Sequence, residues 1–149
     1  MKFISTRGNK EIKNFKQVTL RGLATDGGLY VPKDWKIEKK NILKKSLSFE
    51  NIAFEVIKCF TGNSLKKKKL KEIISKSYEP FRHNEITPLK HLDKNNFLLE
   101  LYHGPTLAFK DIALQFLGNT FDEFLEKKEK KLCIIGATSG DTGSAAIDA

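Results

Sequence analysis

Apolar residues recur at helical spacing in three long stretches of the chain and at strand spacing in several short ones. Phe49, Ile52, Ala53, Val56, Ile57 and Phe60 share one face of a 3.6-residue period, which predicts a helix from Ser48 to about Thr61. Ser48 suits its N-cap, Leu47 and Ile52 stand at hydrophobic-staple spacing, and Gly62 suits the position just past its end. A second helix is predicted after Ser64, turning Leu65, Leu70, Ile73 and Ile74 inward. A third begins near Asp111, with Ile112, Phe116, Leu117, Phe121, Phe124 and Leu125 on its apolar side. Among the shorter elements, residues 2–5 read as a strand and Phe15 to Gly22 as a short helix. Asp26-Gly27-Gly28 is a turn, and Leu29 to Val31 is extended before Pro32. Lys33 to Ser46 is charged and irregular.

Pro80 marks a change of character. Ile86 to Leu89 reads as a loop, Phe97 to Leu101 as a strand, and His103 to Pro105 as a turn. Leu132 to Ile135 is a short apolar run of the kind found in buried parallel strands. It feeds directly into Gly136-Ala137-Thr138-Ser139-Gly140-Asp141-Thr142-Gly143 and then a helical Ser144 to Ile147. Strand, helix, strand, glycine-rich loop and helix is the grammar of an α/β sheet. The expected organisation is a small α-rich domain over 1–80, followed over 81–149 by the beginning of an α/β domain. Ala149 falls inside the last predicted helix, and a complete sheet needs more strands than these. The expectation is a piece of a longer protein.

Composition narrows the class. A 149-residue chain with 40% hydrophobic and 30% charged residues fits a globular protein. No apolar run reaches membrane-helix length, and Met1 to Arg7 lacks a signal-peptide core, so a cytoplasmic protein with no membrane partner is expected. The net charge of +9 raises nucleic-acid binding. Only Arg7, Arg21 and Arg82 among the basic residues are arginines, and Lys66 to Lys69 has no interleaved aromatics. A solvated helix face is the better reading. Cys59 and Cys133 read as two buried apolar thiols, and His83, His91 and His103 are too scattered to bind a metal.

Two stretches point to chemistry. Lys110 follows a Gly104-Pro105 turn and the apolar run Leu107-Ala108-Phe109. A lysine walled by apolar groups loses solvation for its ammonium, which makes its amine a usable nucleophile toward a carbonyl. The bland alternative is a surface lysine at a helix start, where the helix dipole disfavours a cation. The second stretch is Thr138 to Gly143, whose backbone N–H groups and following helix favour an anion. Its spacing is not that of a dinucleotide, nucleoside-triphosphate or esterase motif. Asp111 either holds Lys110 electrostatically or serves as a first-turn helix acid. His103 either lines a pocket or packs at a strand end, and Thr106 is a candidate polar wall. Gly27 and Gly28 serve backbone conformation.

Four stretches together carry a resemblance. They are Ser5-Thr6-Arg7-Gly8, Gly22 to Pro32, His103 to Asp111, and Ala137 to Gly143, in that order. The chain resembles the threonine synthase family, whose members use pyridoxal 5′-phosphate (PLP). The resemblance implies a PLP-dependent fold type II three-layer sheet domain after the N-terminal domain. It implies that Lys110 forms a Schiff base with the PLP aldehyde and then moves protons between Cα, Cβ and Cγ of the substrate. The implied substrate is O-phospho-L-homoserine, converted with water to L-threonine and phosphate. Thr138, Ser139, Gly140 and Thr142 are implied to hold the substrate carboxylate. Asp141 is implied to lie near the PLP 3′-oxygen, although a helix cap is its bland alternative. Arg7 could meet a phosphate or could stabilise the fold. Another fold type II lyase, such as a serine or threonine dehydratase, and a non-catalytic module are the competing readings. The resemblance leaves the oligomeric state open.

Overall fold

A computed structural model describes residues 1–35, 42, 47–125 and 132–149. Most of the charged stretch from Lys33 to Ser46 lies outside the described residues. The chain divides into two compact units, Met1–Leu47 with Asn51–Lys71, and Ser48–Glu50 with Glu72–Ala149.

In the first unit, β1 (Phe3–Ser5) pairs antiparallel with β2 (Tyr30–Pro32), with Phe3 opposite Pro32 and Ser5 opposite Tyr30. Helix α1 (Phe15–Arg21) begins on a reciprocal cap: Gln17 N–H donates to Asn14 Oδ1 at 3.0 Å, and Asn14 N–H donates to Gln17 Oε1 at 2.9 Å. Helix α2 (Phe49–Thr61) ends at Gly62, whose φ of 51° lies in the left-handed region that glycine adopts without strain. A 3₁₀ turn (Gly62–Ser64) leads to α3 (Lys67–Tyr78). Phe3, Ala24, Leu65 and Leu70 form this unit's buried core. The predicted inner face of α2 is half-buried, and Ile52 is exposed.

The turn after α1 is tied to β1 through one carboxylate. Asp26 accepts from the Ser5 hydroxyl at 2.7 Å, from Gly28 N–H at 3.0 Å and from Asn9 N–H at 3.0 Å. These donors, the Ser5 hydroxyl first, hold the Asp26 carboxyl below the usual range. A methyl group on Gly28 would lie 2.2 Å from Ser5 Oγ. The Ser5 to Arg7 and Asp26 to Gly28 motifs are thus two halves of one knot, and the Arg7 guanidinium donates to Asp26 O at 3.2 Å.

The second unit is organised around the end of α3, where Ile73, Ile74, Ser77 and Tyr78 recur at helical spacing and are all buried. The Tyr78 ring meets Phe49 edge-on at 4.8 Å and Phe81 at 5.5 Å. Its hydroxyl donates to Ile112 O at 3.1 Å, and burial pushes the phenol up to about 12. Two short strands, β3 (Leu89–Asp93) and β4 (Asn96–Leu99), form an antiparallel hairpin with a register shift between His91 and Asp93. Helices α4 (Asp111–Leu125) and α5 (Asp141–Asp148) complete the unit.

Five expectations are corrected. Leu89 belongs to a strand rather than a loop, and β4 stops at Leu99 rather than Leu101. The β3 sequence Leu-Lys-His-Leu-Asp lacks the β-branched residues that mark strands, so only its partner reveals it. Leu132 to Ile135 forms no strand among the described residues, and Ile134 and Ile135 are exposed. A strand exists only where a neighbour accepts and donates its ladder bonds. The buried side of α4 carries Asp111, Gln115, Asn119, Thr120 and Phe124, whereas Phe116, Leu117 and Phe121 are only half-buried. Polar groups pack there because each is satisfied. Ser77 donates to Ile73 O and Gln115 O, while Asn119 donates to Ser77 Oγ and Gln115 O. Finally, Cys133 is exposed and Cys59 half-buried, so the two thiols do not share a buried role.

Leu70 is 1% exposed and sits on the packed face of α3. Leu70→Ala should lower unfolding free energy by about 3 kcal/mol, because the cavity adds to the lost transfer energy. Urea denaturation of the parent and variant proteins measures this, and a difference below about 1 kcal/mol would contradict the packing described.

Candidate functional site

Lys110 stands directly before α4. Its carbonyl accepts from Ala113 N–H at 3.1 Å and Leu114 N–H at 2.9 Å, so its backbone is already engaged by the helix while its side chain is free to leave the helix surface. Its ammonium donates to the Thr142 hydroxyl in the first turn of α5 and lies 5.5 Å from the centre of the Phe109 ring. A cleft of about 410 Å³ opens here, lined by Phe109, Lys110, Ile112, Ala113, Leu114 and Thr142. The wall expected from Leu107-Ala108-Phe109 is different in detail. Ala108 is buried, but Leu107 and Phe109 are more than half exposed, and the apolar lining comes largely from the helix that follows.

The loop before Lys110 is closed by Asp111. This carboxylate is fully buried and accepts from Thr106 N–H at 2.9 Å and from the Thr106 hydroxyl at 2.6 Å. Hydrogen bonds to a charged acceptor contribute about 1.5–3 kcal/mol each, which offsets the desolvation of a buried carboxylate. A methyl on Gly104 would lie 2.4 Å from Asp111 Oδ2, so only glycine fits there. Leu107 adopts a φ of 65°, an uncommon conformation for a branched residue that this closure enforces. Asp111 does occupy the first turn of α4, yet its side chain turns back to the loop. Thr106 is its partner rather than a lining residue of the cleft.

Upstream, Glu100 ends the hairpin as a nearly buried carboxylate. His103 Nε2 lies 2.8 Å from Glu100 Oε2, and Lys90 Nζ lies 3.0 Å from Oε1. Bonds from His103, Lys90 and Tyr102, in that order, hold the Glu100 carboxyl down at about 2. His103 also packs against His83 and Tyr102, with ring centres 4.9 and 4.7 Å away, and its carbonyl accepts from Arg82 N–H at 2.8 Å. Arg82 further donates to Pro105 O at 3.3 Å. The sequence reading missed Glu100. Its signal was an acid closing an apolar run three residues before a histidine.

The Thr138 to Gly143 loop is shaped by its own threonine. Thr138 Oγ1 accepts from Gly140 N–H and Gly143 N–H, both at 3.1 Å, and Gly140 has a φ of 136°. Gly140 is the N-cap residue of α5, so Asp141 is a first-turn acid and not the cap. Ser139, Gly140 and Asp141 are exposed. Of the loop positions singled out in the sequence, Thr142 is the one the structure joins to Lys110. Among the described residues no group of side chains could hold a metal ion. What the arrangement offers is an amine and a hydroxyl at the mouth of an apolar cleft, flanked by the start of α5.

Glu100 supplies a pH test. Its carboxyl ionises more readily folded than unfolded, so the unfolded chain binds more protons at acid pH. The stability it contributes is complete above its unfolded value of about 4.5 and is lost as pH falls toward about 2. Denaturation midpoints measured across that window should fall less steeply for Glu100→Gln than for the parent. Parallel curves would show that Glu100 gains nothing from its partners.

A family profile described as "Threonine synthase N terminus" matches residues 2–78. The chain is 46% identical to a threonine synthase of Pseudomonas aeruginosa over 99% of its own length and 32% of that protein. It is 46% identical to a threonine synthase of Schizosaccharomyces pombe over 97% of its length and 30% of that protein. A human protein named threonine synthase-like 2 is 38% identical over 99% of the chain and 31% of that protein. The structure superposes on PLP-bound threonine synthase from Brucella melitensis with a TM-score of 0.90 and 42% identity, covering 99% of this chain and 32% of that one. On threonine synthase from yeast the TM-score is 0.88 with 38% identity, covering 99% and 32%. The chain therefore spans about a third of the length of these relatives, and across the part it spans, sequence and backbone agree that it belongs to the threonine synthase family.

Proposed function

We propose that this chain supplies the lysine-bearing part of a PLP-dependent threonine synthase, which converts O-phospho-L-homoserine and water to L-threonine and phosphate. The observation that carries the reading is Lys110, its ammonium joined to Thr142 at the mouth of an apolar-lined cleft. On this reading residues 1–80 are the N-terminal domain and 81–149 open a fold type II catalytic domain. No described helix is long and apolar enough to cross a membrane, which fits a cytoplasmic biosynthetic enzyme.

The residues present suit the cofactor. Phe109, Ile112, Ala113 and Leu114 give a flat aromatic ring an apolar surface, and Lys110 puts a primary amine at its edge. PLP, when bound, supplies an electron sink for charge developing on substrate carbon. Lys110 would hold the cofactor through its aldehyde and, once displaced by substrate, carry protons between Cα, Cβ and Cγ. The Thr142 hydroxyl gives the freed amine a resting partner. Backbone N–H groups at the start of α5 would face the substrate carboxylate, with Ser139 and Gly140 in the same loop. Thr138 holds the loop in shape through Gly140 and Gly143. Asp141, exposed in the first turn of α5, is assigned to the cofactor's 3′-oxygen.

A second reading is a related fold type II lyase acting on threonine or serine; some relatives are named threonine synthase-like 2 rather than threonine synthase. A substrate panel on the purified full-length protein separates the two. We expect phosphate and threonine from phosphohomoserine, and a loss of at least ~10²-fold in Lys110→Ala, the range for removing an acid–base group. Consumption of threonine or serine without turnover of phosphohomoserine would replace the first reading by the second.

A further inference from the structure

We propose that Asp111 and Thr106 are positioning residues that set where the Lys110 amine stands, an inference that rests on the reading of Lys110 as the cofactor-holding lysine. Neither residue is among those that line the cleft. Both act on the segment that delivers Lys110. Thr106 gives both its N–H and its hydroxyl to the one carboxylate that follows the lysine. Leu107 N–H donates to Gly104 O at 3.2 Å, and Asp111 N–H to Ala108 O at 3.0 Å, so the loop doubles back twice between Gly104 and Asp111. The carboxylate is 0% exposed and pressed on Gly104, which leaves it no other orientation.

The consequence is geometric. Lys110 lies between a left-handed Leu107 and the first turn of α4, bracketed by the turn bonds from Asp111 N–H to Ala108 O at 3.0 Å and from Ile112 N–H to Phe109 O at 3.3 Å. Its Cα is fixed from one side by the helix, through Ala113 and Leu114, and from the other by the Thr106–Asp111 closure. A lysine has four rotatable side-chain bonds, so a small rotation of its backbone is magnified at Nζ. A displacement of about 1 Å from productive geometry is worth on the order of 10²-fold in rate. The closure therefore delivers an amine already aimed at the cleft and at Thr142.

Asp111→Ala would empty a buried site and endanger folding, so Thr106→Val is the decisive variant, with Thr106→Ser as its conservative control. Val keeps the shape and the N–H but removes the hydroxyl bond to Oδ1 and the acceptor for Ala108 N–H, 3.4 Å away. The measurement uses the full-length protein stripped of cofactor and reloaded with PLP. The rate at which the lysine–cofactor bond forms (amine plus aldehyde, with loss of one water) is followed by visible absorbance and borohydride trapping. Expected for Thr106→Val is a slowing of about 10-fold or more in bond formation and in kcat, with KM within about 2-fold of the parent. Thr106→Ser should restore both rates. A Thr106→Val protein that unfolds more easily but forms the bond and turns over at the parent rates would overturn the proposal, leaving the pair a purely structural role. If the parent itself traps no adduct at Lys110, the reading of Lys110 fails instead.

Discussion

A carboxylate without water must find donors nearby, and in this chain that requirement shapes the segment around Lys110. Asp111 is fully buried, and its two oxygens take the N–H and hydroxyl of Thr106. Meeting that demand within five residues folds the loop back, excludes any side chain at Gly104 and leaves Leu107 left-handed. It also decides where α4 begins. Lys110 becomes the residue at the hinge between a closed loop and a helix, and the cleft forms on the side to which its amine turns.

The same logic recurs in the rest of the second unit. Ser77, Gln115 and Asn119 form a buried polar seam in which each donor has an acceptor, and Gln115 continues to Asp148 at 2.6 Å. Such a seam gives less raw stabilisation than an apolar one, but it tolerates one register between the helices. Glu100 gathers Lys90, Tyr102 and His103 at the end of the hairpin and hands His103 on to Arg82. In the first unit Asp26 plays the matching part, drawing Ser5, Asn9 and Gly28 into one turn. Apolar burial supplies the bulk of each core, while hydrogen-bonded carboxylates choose the loop conformations.

This division separates the motif residues taken up in loop architecture from those whose polar atoms meet at the cleft. In the Ser5-Thr6-Arg7 stretch, Ser5 and Arg7 bond to Asp26, and Thr6 exchanges bonds with the Leu29 backbone. The Thr138 hydroxyl is consumed in shaping the glycine-containing loop. Lys110 and Thr142 are the motif residues whose polar atoms meet across 32 positions of sequence at an open cleft.

The sequence alone determined the features that depend on near neighbours. Helical periodicity located α2, α3 and α4, the glycines located the turns, and the His103 to Asp111 motif located the lysine. These are legible because helix bonds, caps and tight turns join residues within a few positions of one another. Only the tertiary structure decided the long-range choices. It paired Leu89–Asp93 with Asn96–Leu99, turned Gln115 and Asn119 inward in place of Phe116 and Leu117, and left Leu132 to Ile135 without a ladder among the described residues. It also gave Glu100 its three partners and brought Thr142 to Lys110. Strand pairing and the satisfaction of buried polar groups depend on which distant group arrives within hydrogen-bonding distance, and periodicity along the chain carries no record of that.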